Sequence, residues 1–557
     1  MRQYPVWRLR HSGDYDSLVD VVLANRSLTR EDVADSPDVL QDPFAMRDMD
    51  RAAERILKAI RERERTVVFG DYDVDGVTST VVMLDFLDRV GVDGVPILPD
   101  RFRDGYGMKP PGVRRALEAG AELIVTADNG VSSFEAVDAA REAGVDVVVI
   151  DHHHPQERLP NALAVVNPNR ADCSYPFKGL AAVGVVFKVV QALSETVMPG
   201  LERRGYLNSL LDLVALGTVA DVVPMLGENR LLTRRGMQVL DRTERPGLHA
   251  LKGLAGLGNR SVDTTAIGFF LGPRINSAGR LASAELALDL LRSRDIREAA
   301  RLAEALNRLN TRRKDLQNTG VAEAEAQVEA SGLDRHRMLV VKGADWHLGV
   351  IGLIAGRLTE RYGRPSVACT EVRGDGTFTG SARTAGGYNI VEGIFRCADL
   401  LTEYGGHADA AGFTGRTEYY EAFKGRLEAD ADRLLSEDDL TPQLVLDALL
   451  RPSEISLETV SALSALAPFG AGNEPPRFMV RDCRIERTAA VGKGAHLKLA
   501  LDTGGPVCDT IWWRQGELVT ELSCGDRVDV ACAVEANTWN GETRVQLVLE
   551  DMRPAGG

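Results

Sequence analysis

Thr66-Val67-Val68-Phe69-Gly70-Asp71-Tyr72-Asp73-Val74-Asp75-Gly76 is a short apolar run that stops at a glycine and opens into three carboxylates within five residues. An apolar run without polar alternation suits a strand buried on both faces, which means a parallel sheet covered by helices. The same grammar recurs downstream. Glu122-Leu123-Ile124-Val125-Thr126 ends before Ala127-Asp128-Asn129-Gly130, and the run 145–150 ends at Asp151-His152-His153-His154. Helical spacing fills the gaps at 113–119 and 133–143. It also precedes the first run at 50–63, with Ile56, Leu57 and Ile60 on one face. Strands alternating with helices predict βαβ units, and three strands of one sheet then end in Asp or His. In open α/β sheets, ligands bind beyond the carboxyl ends of the strands.

Three clustered carboxylates repel one another unless a cation lies between them. The pattern D-x-D-x-D-G also begins a calcium-binding EF-hand loop, but such a loop needs a bidentate Glu at position twelve. Counted from Asp71, that position is Val82, and a strand rather than a helix precedes the loop. Taken alone the segment also fits a solvated acidic turn. Joined to Asp128 and to a His pair behind Asp151 at the same sheet edge, it reads as a metal centre. Hard oxygen donors with one or two imidazoles suit Mn²⁺ or Mg²⁺. Four or more carboxylates exceed the needs of one ion. Two ions about 3.5–4 Å apart would use them all and would serve hydrolysis of a phosphoester or phosphoanhydride. A fourth segment, Leu216-Gly217-Thr218-Val219-Ala220-Asp221-Val222-Val223-Pro224, sets Asp221 in an apolar stretch. Spacing alone leaves it either a ligand or a buried, hydrogen-bonded helix cap.

The chain has 557 residues, 44% of them apolar and 26% charged, the balance of a soluble globular protein of three or four domains. The formal charge of −15 excludes a uniformly basic nucleic-acid coat but not local basic patches. Seven cysteines form no C-x-x-C pair, so a reducing cytoplasm is the expected location. No apolar run is long enough to cross a membrane.

Composition shifts predict an N-terminal extension at 1–45, a first α/β domain at 46–283 and a long, exposed connecting helix at 284–330. A second α/β domain follows at 331–440, then a linker and small β-barrel at 441–557.

In order along the chain, D-Y-D-V-D-G, T-A-D-N-G, D-H-H-H-P and G-T-V-A-D-V-V-P resemble the DHH phosphoesterase superfamily. Three further stretches narrow the resemblance to its RecJ-type single-strand exonucleases. Residues 271–281 (L-G-P-R-I-N-S-A-G-R-L) are similar to the segment after the DHH domain. Residues 405–412 (G-G-H-A-D-A-A-G) are similar to the G-G-H motif of a DHHA1 domain. Residues 468–475 with 491–499 are similar to the start of an OB-fold. The resemblance covers the chain from about residue 45 onward. It implies a DHH domain and a DHHA1 domain joined by the long helix, with a C-terminal OB-fold β-barrel. It implies metal ligands at Asp73, Asp75, Asp128, His152 and Asp221 for two Mn²⁺ or Mg²⁺ ions. Asp71 becomes an auxiliary acid, His153 faces the scissile phosphate, His154 is structural, and Asn129 shapes its loop with Gly130. The activity implied is 5′ to 3′ digestion of single-stranded DNA to 5′-mononucleotides in recombination and repair. A single-strand-binding protein and a RecQ-type helicase are the implied partners.

For the substrate side, Ser381 and Arg383 offer donors beside the flexible 386–389 loop. Arg274 and Arg280 bracket what reads as a short Asn276-Ser277-Ala278-Gly279 turn. Arginine forks of this kind suit a terminal phosphate, which the resemblance makes a 5′-phosphate. His407, between Gly406 and Ala408, is a candidate donor to the phosphate being cut. Trp346 fits equally a buried residue at a capping turn or a place beside an anion-binding loop. In the barrel, Trp512 is taken as a base-stacking residue, with Trp513 and Trp539 nearby in sequence. Residues 470–557 carry 10 Lys or Arg against 13 Asp or Glu, so Lys493, Lys498, Arg484, Arg487 and Arg514 would have to gather on one face. Two rival readings share this sequence. One is a DHH phosphodiesterase for short oligonucleotides or cyclic dinucleotides, against which the barrel counts. The other is a scaffold without catalysis, against which the full set of Asp and His ligands counts.

Overall fold

A computed structural model of the chain describes residues 4–556 apart from Tyr106, Asn259, Arg373 and Pro506. It divides into two compact units, Ser36–Leu440 and Met1–Asp35 with Thr441–Gly557.

The larger unit is built on two sheets. The first has five parallel strands: β1 (Thr66–Phe69), β2 (Gly94–Ile97), β3 (Leu123–Thr126), β4 (Asp146–Ile150) and β5 (Ala164–Val166). Their spatial order is β2-β1-β3-β4-β5. Strands β1 and β3 are buried at every position, as continuous apolar runs in a helix-covered sheet must be. After β1 the chain crosses to one side, and afterwards to the other. The switch point, where helices leave a crevice, therefore lies between β1 and β3. Helix α1 (Val74–Arg89) is almost wholly buried, packed against α2 (Ala182–Val197) and α3 (Leu211–Ala220) in one apolar core.

The second sheet runs β9-β10-β8-β7-β6 through β6 (Leu339–Gly343), β7 (Ser366–Val372), β8 (Thr377–Arg383), β9 (Leu401–His407) and β10 (Ala410–Arg416). Only β6 and β7 pair in parallel. The segment expected as one exposed helix at 284–330 is instead a short helix, Glu285–Arg292, and then α5 (Ile296–Ser331), 36 residues long. The break falls at Asp295, whose carboxylate accepts from the Glu298 N–H at 2.8 Å and caps the second helix. Nor is α5 simply exposed. It buries Ala299, Leu302, Ala303 and Leu306 in the core around the first sheet, and Ala324 and Val328 beside the second.

The smaller unit corrects the expectation of a separate extension. Val6–Leu9 pairs in parallel with Gln443–Leu446, and the helix Leu18–Ala24 puts Leu18, Val21, Val22 and Leu23 into the barrel core. Arg26 and Asp447, both nearly buried, pair at 2.8 Å. The barrel strands are β11 (Phe478–Val491), β12 (His496–Asp502), β13 (Val507–Trp512), β14 (Arg527–Trp539) and β15 (Glu542–Pro554). Pairing of β11 with β14 closes the ring β11-β12-β13-β15-β14 and removes its open edges.

Candidate active site

The acidic loop is held in a fixed shape before any ion is considered. Asp73 caps α1, accepting from the Gly76 N–H at 3.0 Å. A Cβ on Gly76 would lie 2.6 Å from the Asp71 Cβ and 2.7 Å from its Cα, so only glycine lets the helix start this close to the loop. Asp75 faces the first turn of α2 and accepts from Ala182 N–H at 2.7 Å and Val183 N–H at 2.9 Å, where the helix end favours a carboxylate. Across the switch point Asp128 sits in the left-handed region at φ +69°, a strained place for a residue with a side chain. Asn129 stitches that turn, donating to the carbonyls of Phe69 and Ala127, both at 3.1 Å.

The imidazoles are oriented as firmly. The Nδ1–H of His152 donates to the Leu180 carbonyl at 3.2 Å. That turns Nε2 toward Asp128 (3.4 Å) and Asp221 at the end of α3 (3.6 Å). His153 Nδ1 bonds Asp151 at 2.8 Å and stands 3.8 Å from Asp128. Asp151 is therefore no member of the ligand cluster. Its carboxylate accepts from the backbone of Val131, His152 and His153 and from the His153 ring, and it aims the pair. Sequence reasoning quoted this acid without a role; its place directly before two histidines was the signal.

Ligand atoms fall into overlapping groups: Asp71, Asp73 and Asp128; Asp75, His152 and Asp221; Asp128, His152 and His153. Within each group all lie within 4.8 Å of one another. Asp71, expected as an auxiliary acid, stands inside the first group. Among the described residues, the buried Oδ1 of Asp71 and Nε2 of His152 have no hydrogen-bond partner. A cluster of acceptors facing acceptors without donors between them is satisfied by cations, so the residues fit a pair of divalent ions.

Electrostatics agree. Burial, reinforced by the charge of Asp73, pushes Asp71 well above the usual carboxylate range and Asp75 up to about 7. Burial and the charges of Asp75 and Asp73 push Asp128 well up and Asp221 up to about 9. Burial and neighbouring His153 bring His152 down to about 4, a neutral imidazole. Burial alone would lower His153 too, but the hydrogen bond and charge of Asp151 carry it up to about 9. Raised carboxylates mean that the metal-free fold holds protons the unfolded chain has lost, so metal-free stability falls as pH rises through about 4 to 9. Ions replace those protons. The rise in Tm on adding Mn²⁺ is expected to be larger at pH 8.5 than at pH 6, read by calorimetry; an equal rise at both would contradict the cluster's role.

A cationic rim adjoins the acidic one. A Cβ on Gly279, in the helix α4 (Gly272–Leu281), would lie 2.6 Å from the Tyr72 carbonyl, so α4 packs directly on the acidic loop. Arg280 follows, its Nη1 donating to the Gly349 carbonyl at 3.1 Å. Burial, with the charges of Arg101, Arg313 and Arg383 adding, pushes its guanidinium down to about 9. Arg383 donates to Ser381 Oγ at 3.1 Å, and burial with Arg101 lowers it as well. Arg101 lies over the Tyr72 ring at 5.0 Å. Sequence reasoning missed Arg101; the signal was a basic loop, 101–103, just beyond the carboxyl end of β2.

Other expected substrate residues stand elsewhere. The Asn276–Gly279 stretch is helix, not turn. At about 100° per residue, Arg274 and Arg280 therefore point away from each other. Arg274 is spent on Asn307 and on the carbonyls of Phe270 and Leu254. Asn276, half-buried, lies one turn before Arg280 on the same face of that helix. His407 ends β9 exposed, with Asp409 3.9 Å away, and is not in the groups around Asp128. Trp346 is buried, donating to Glu323 at 2.7 Å. Trp512 is 3% exposed in the barrel core and cannot offer a face to a base, whereas Trp513 (55%) and Trp539 (76%) are open. Of the barrel's cations, Arg484 pairs with Glu486 and Asp502, and Lys498 with Asp509.

Family models match the chain as a DHH family N-terminal domain at 65–218, a DHHA1 domain at 336–434 and a RecJ OB domain at 446–551. The single-stranded-DNA-specific exonuclease RecJ of Bacillus subtilis is 37% identical over 92% of this chain, the match spanning 64% of the Bacillus protein. RecJ of Escherichia coli is 35% identical, the match covering 91% of this chain and 90% of that one. The crystal structure of Thermus thermophilus RecJ in complex with Mn²⁺ superposes with a TM-score of 0.84 at 29% identity, over all of this chain and 81% of that one. On domain order, length of match and fold together, this chain belongs to the RecJ family of DHH-superfamily exonucleases.

Proposed function

We propose that the protein digests single-stranded DNA from its 5′ end, hydrolysing phosphodiester bonds with two Mn²⁺ or Mg²⁺ ions and releasing 5′-mononucleotides in recombination and repair. One observation carries this reading: an acidic rim and an arginine rim share the loop Asp71–Asp75 within one unit. Asp71, Asp73, Asp75, Asp128, His152 and Asp221 would hold the ions. When bound, the ions neutralise the carboxylates, polarise the phosphodiester and favour attack by water. Arg280, Arg383 and Ser381 hold the strand's terminal phosphate, and their distance from the acids sets which bond is cut. His153, its Nδ1 held on Asp151, would turn its other nitrogen to a phosphoryl oxygen.

Within this reading the partners are those that make or coat single strands, a RecQ-type helicase and a single-strand-binding protein. The compartment is the cytoplasm. No helix among the described residues is long and apolar enough to cross a membrane.

Arg383→Ala is expected to raise KM for 5′-phosphorylated strands about tenfold or more while changing 5′-hydroxyl strands little, because a charge-assisted fork is lost only where a terminal phosphate meets it. Equal loss on both would remove Arg383 from the phosphate site. A length series of 5′-phosphorylated strands with Mn²⁺ tests the function itself. Digestion should continue through long strands, and activity confined to two or three nucleotides would favour a short-oligonucleotide phosphodiesterase.

A further inference from the structure

A cleft of about 620 Å³ opens beside Ser381, walled by the 101–105 loop on one side and by β8, β9 and β10 on the other. Two exposed aromatic rings line it, Phe102 on the loop (42% exposed) and Tyr404 on β9 (46%). Each is braced by one aromatic neighbour. Phe102 meets the imidazole of His347 edge-on at 5.6 Å, and Tyr404 meets Phe395 at 5.4 Å. Between them the β-strand surface is low, with Gly380, Gly405 and Gly412 on the cleft wall. The lining is also cationic. Among the described residues Arg101 has no carboxylate within ion-pair distance, and Lys109 none either. Of the two acids in the lining, Asp104 is bound to Arg115 at 2.7 Å and Glu403 is exposed.

Leaving two large rings open to water forfeits burial that each could have gained in a core. Flat rings beside unmatched cations, continuous with a phosphate-binding rim, are complementary to a nucleotide: a base for the rings and a phosphate for the cations. We infer that Phe102 and Tyr404 clamp the nucleobase of the strand's 5′-terminal nucleotide, whose phosphate lies on Ser381, Arg383 and Arg280. The inference rests on the 5′-phosphate reading above and adds to it a positioning device. Stacking accepts any base, since every base has a π face, so the clamp fixes the first nucleotide without imposing a sequence. It also disfavours a paired end, because the terminal base of a duplex has one face covered by the next base pair and its edge held by its partner.

The test is steady-state cleavage by the full-length protein with Mn²⁺, using 5′-phosphorylated single strands with either a normal base or an abasic residue at the 5′-terminal position. For the wild-type protein the abasic residue should raise KM on the order of tenfold and leave kcat within about twofold. Phe102→Ala and Tyr404→Ala should raise KM by a similar factor on the normal strand and be indifferent to the abasic residue. Tyr404→Phe, which keeps the ring, should restore the dependence on the base. The clamp is overturned if the wild-type protein ignores the missing base, if the alanine variants suffer the same abasic penalty as wild type, or if Tyr404→Phe behaves as Tyr404→Ala. Failure of the underlying reading looks different: the wild-type protein then leaves every strand intact, or digests 5′-hydroxyl ends as readily as phosphorylated ones.

Discussion

Asp128→Ala is expected to lower cleavage of single-stranded DNA by about three orders of magnitude or more while strand binding persists. Asp128 is the carboxylate common to two of the three ligand groups, as His152 is the imidazole, and it stands 3.4 Å from His152 and 3.8 Å from His153. Removing it takes a donor from both sides of the centre at once, whereas the arginine rim is untouched. The same argument gives a readout independent of turnover. Asp128→Asn removes a buried carboxyl whose ionisation its neighbours oppose, so its metal-free Tm should fall less than wild type's as pH is raised, and its Mn²⁺-induced rise should shrink. A fully active Asp128→Ala protein, or an unchanged response of Tm to Mn²⁺ in Asp128→Asn, would refute the shared-ligand assignment.

Trp512→Ala is expected to destabilise the smaller unit by about 3–5 kcal/mol, the cost of emptying a large aromatic site in a packed core. Trp513→Ala should leave stability within about 0.5 kcal/mol, since its ring is already open. Trp513 has the setting of a base-stacking residue: it meets His496 edge-on at 4.8 Å, and the Arg514 N–H donates to His496 Nδ1 at 3.0 Å. Weakened single-strand binding is therefore expected of Trp513→Ala. Hydrogen exchange across His496–Asp502 distinguishes the two variants, with protection lost in Trp512→Ala and kept in Trp513→Ala. A natively protected Trp512→Ala protein that binds strands poorly would return the stacking role to Trp512.

The contrast between these two tryptophans shows what could be read in advance. Trp512 ends β13 and Trp513 begins the turn after it, and the register that sends Trp512 inward is set by pairing with distant strands. The acidic loop needed no such information. Asp71, Asp73 and Asp75 follow a strand whose apolar run marks it as central, Asp128 follows the adjacent strand β3, and His152 follows β4 beyond it. Sheet geometry then brings residues separated by some eighty positions to one rim. Arg274 was misplaced because the glycine- and serine-containing stretch 276–279 reads as a turn, while tertiary packing against Tyr72 and α5 holds it as helix. The N-terminal strand Val6–Leu9 was missed for a related reason. Four residues carry too little periodicity, and their partner strand, Gln443–Leu446, lies at the other end of the chain. Asp151 and Arg101 act through what they touch rather than through a pattern, so only coordinates reveal the hydrogen bond to His153 and the stacking over Tyr72.

The most direct test of a two-ion exonuclease centre on this rim is product analysis with single strands labelled at the 5′ or the 3′ end, using exhaustively chelated protein before and after Mn²⁺ is restored. The expected result is no product from the chelated protein, then release of the 5′ label as a mononucleotide once Mn²⁺ is added, with the 3′ label held in strands of decreasing length. Full turnover by the chelated protein, or first release of the 3′ label, would contradict it.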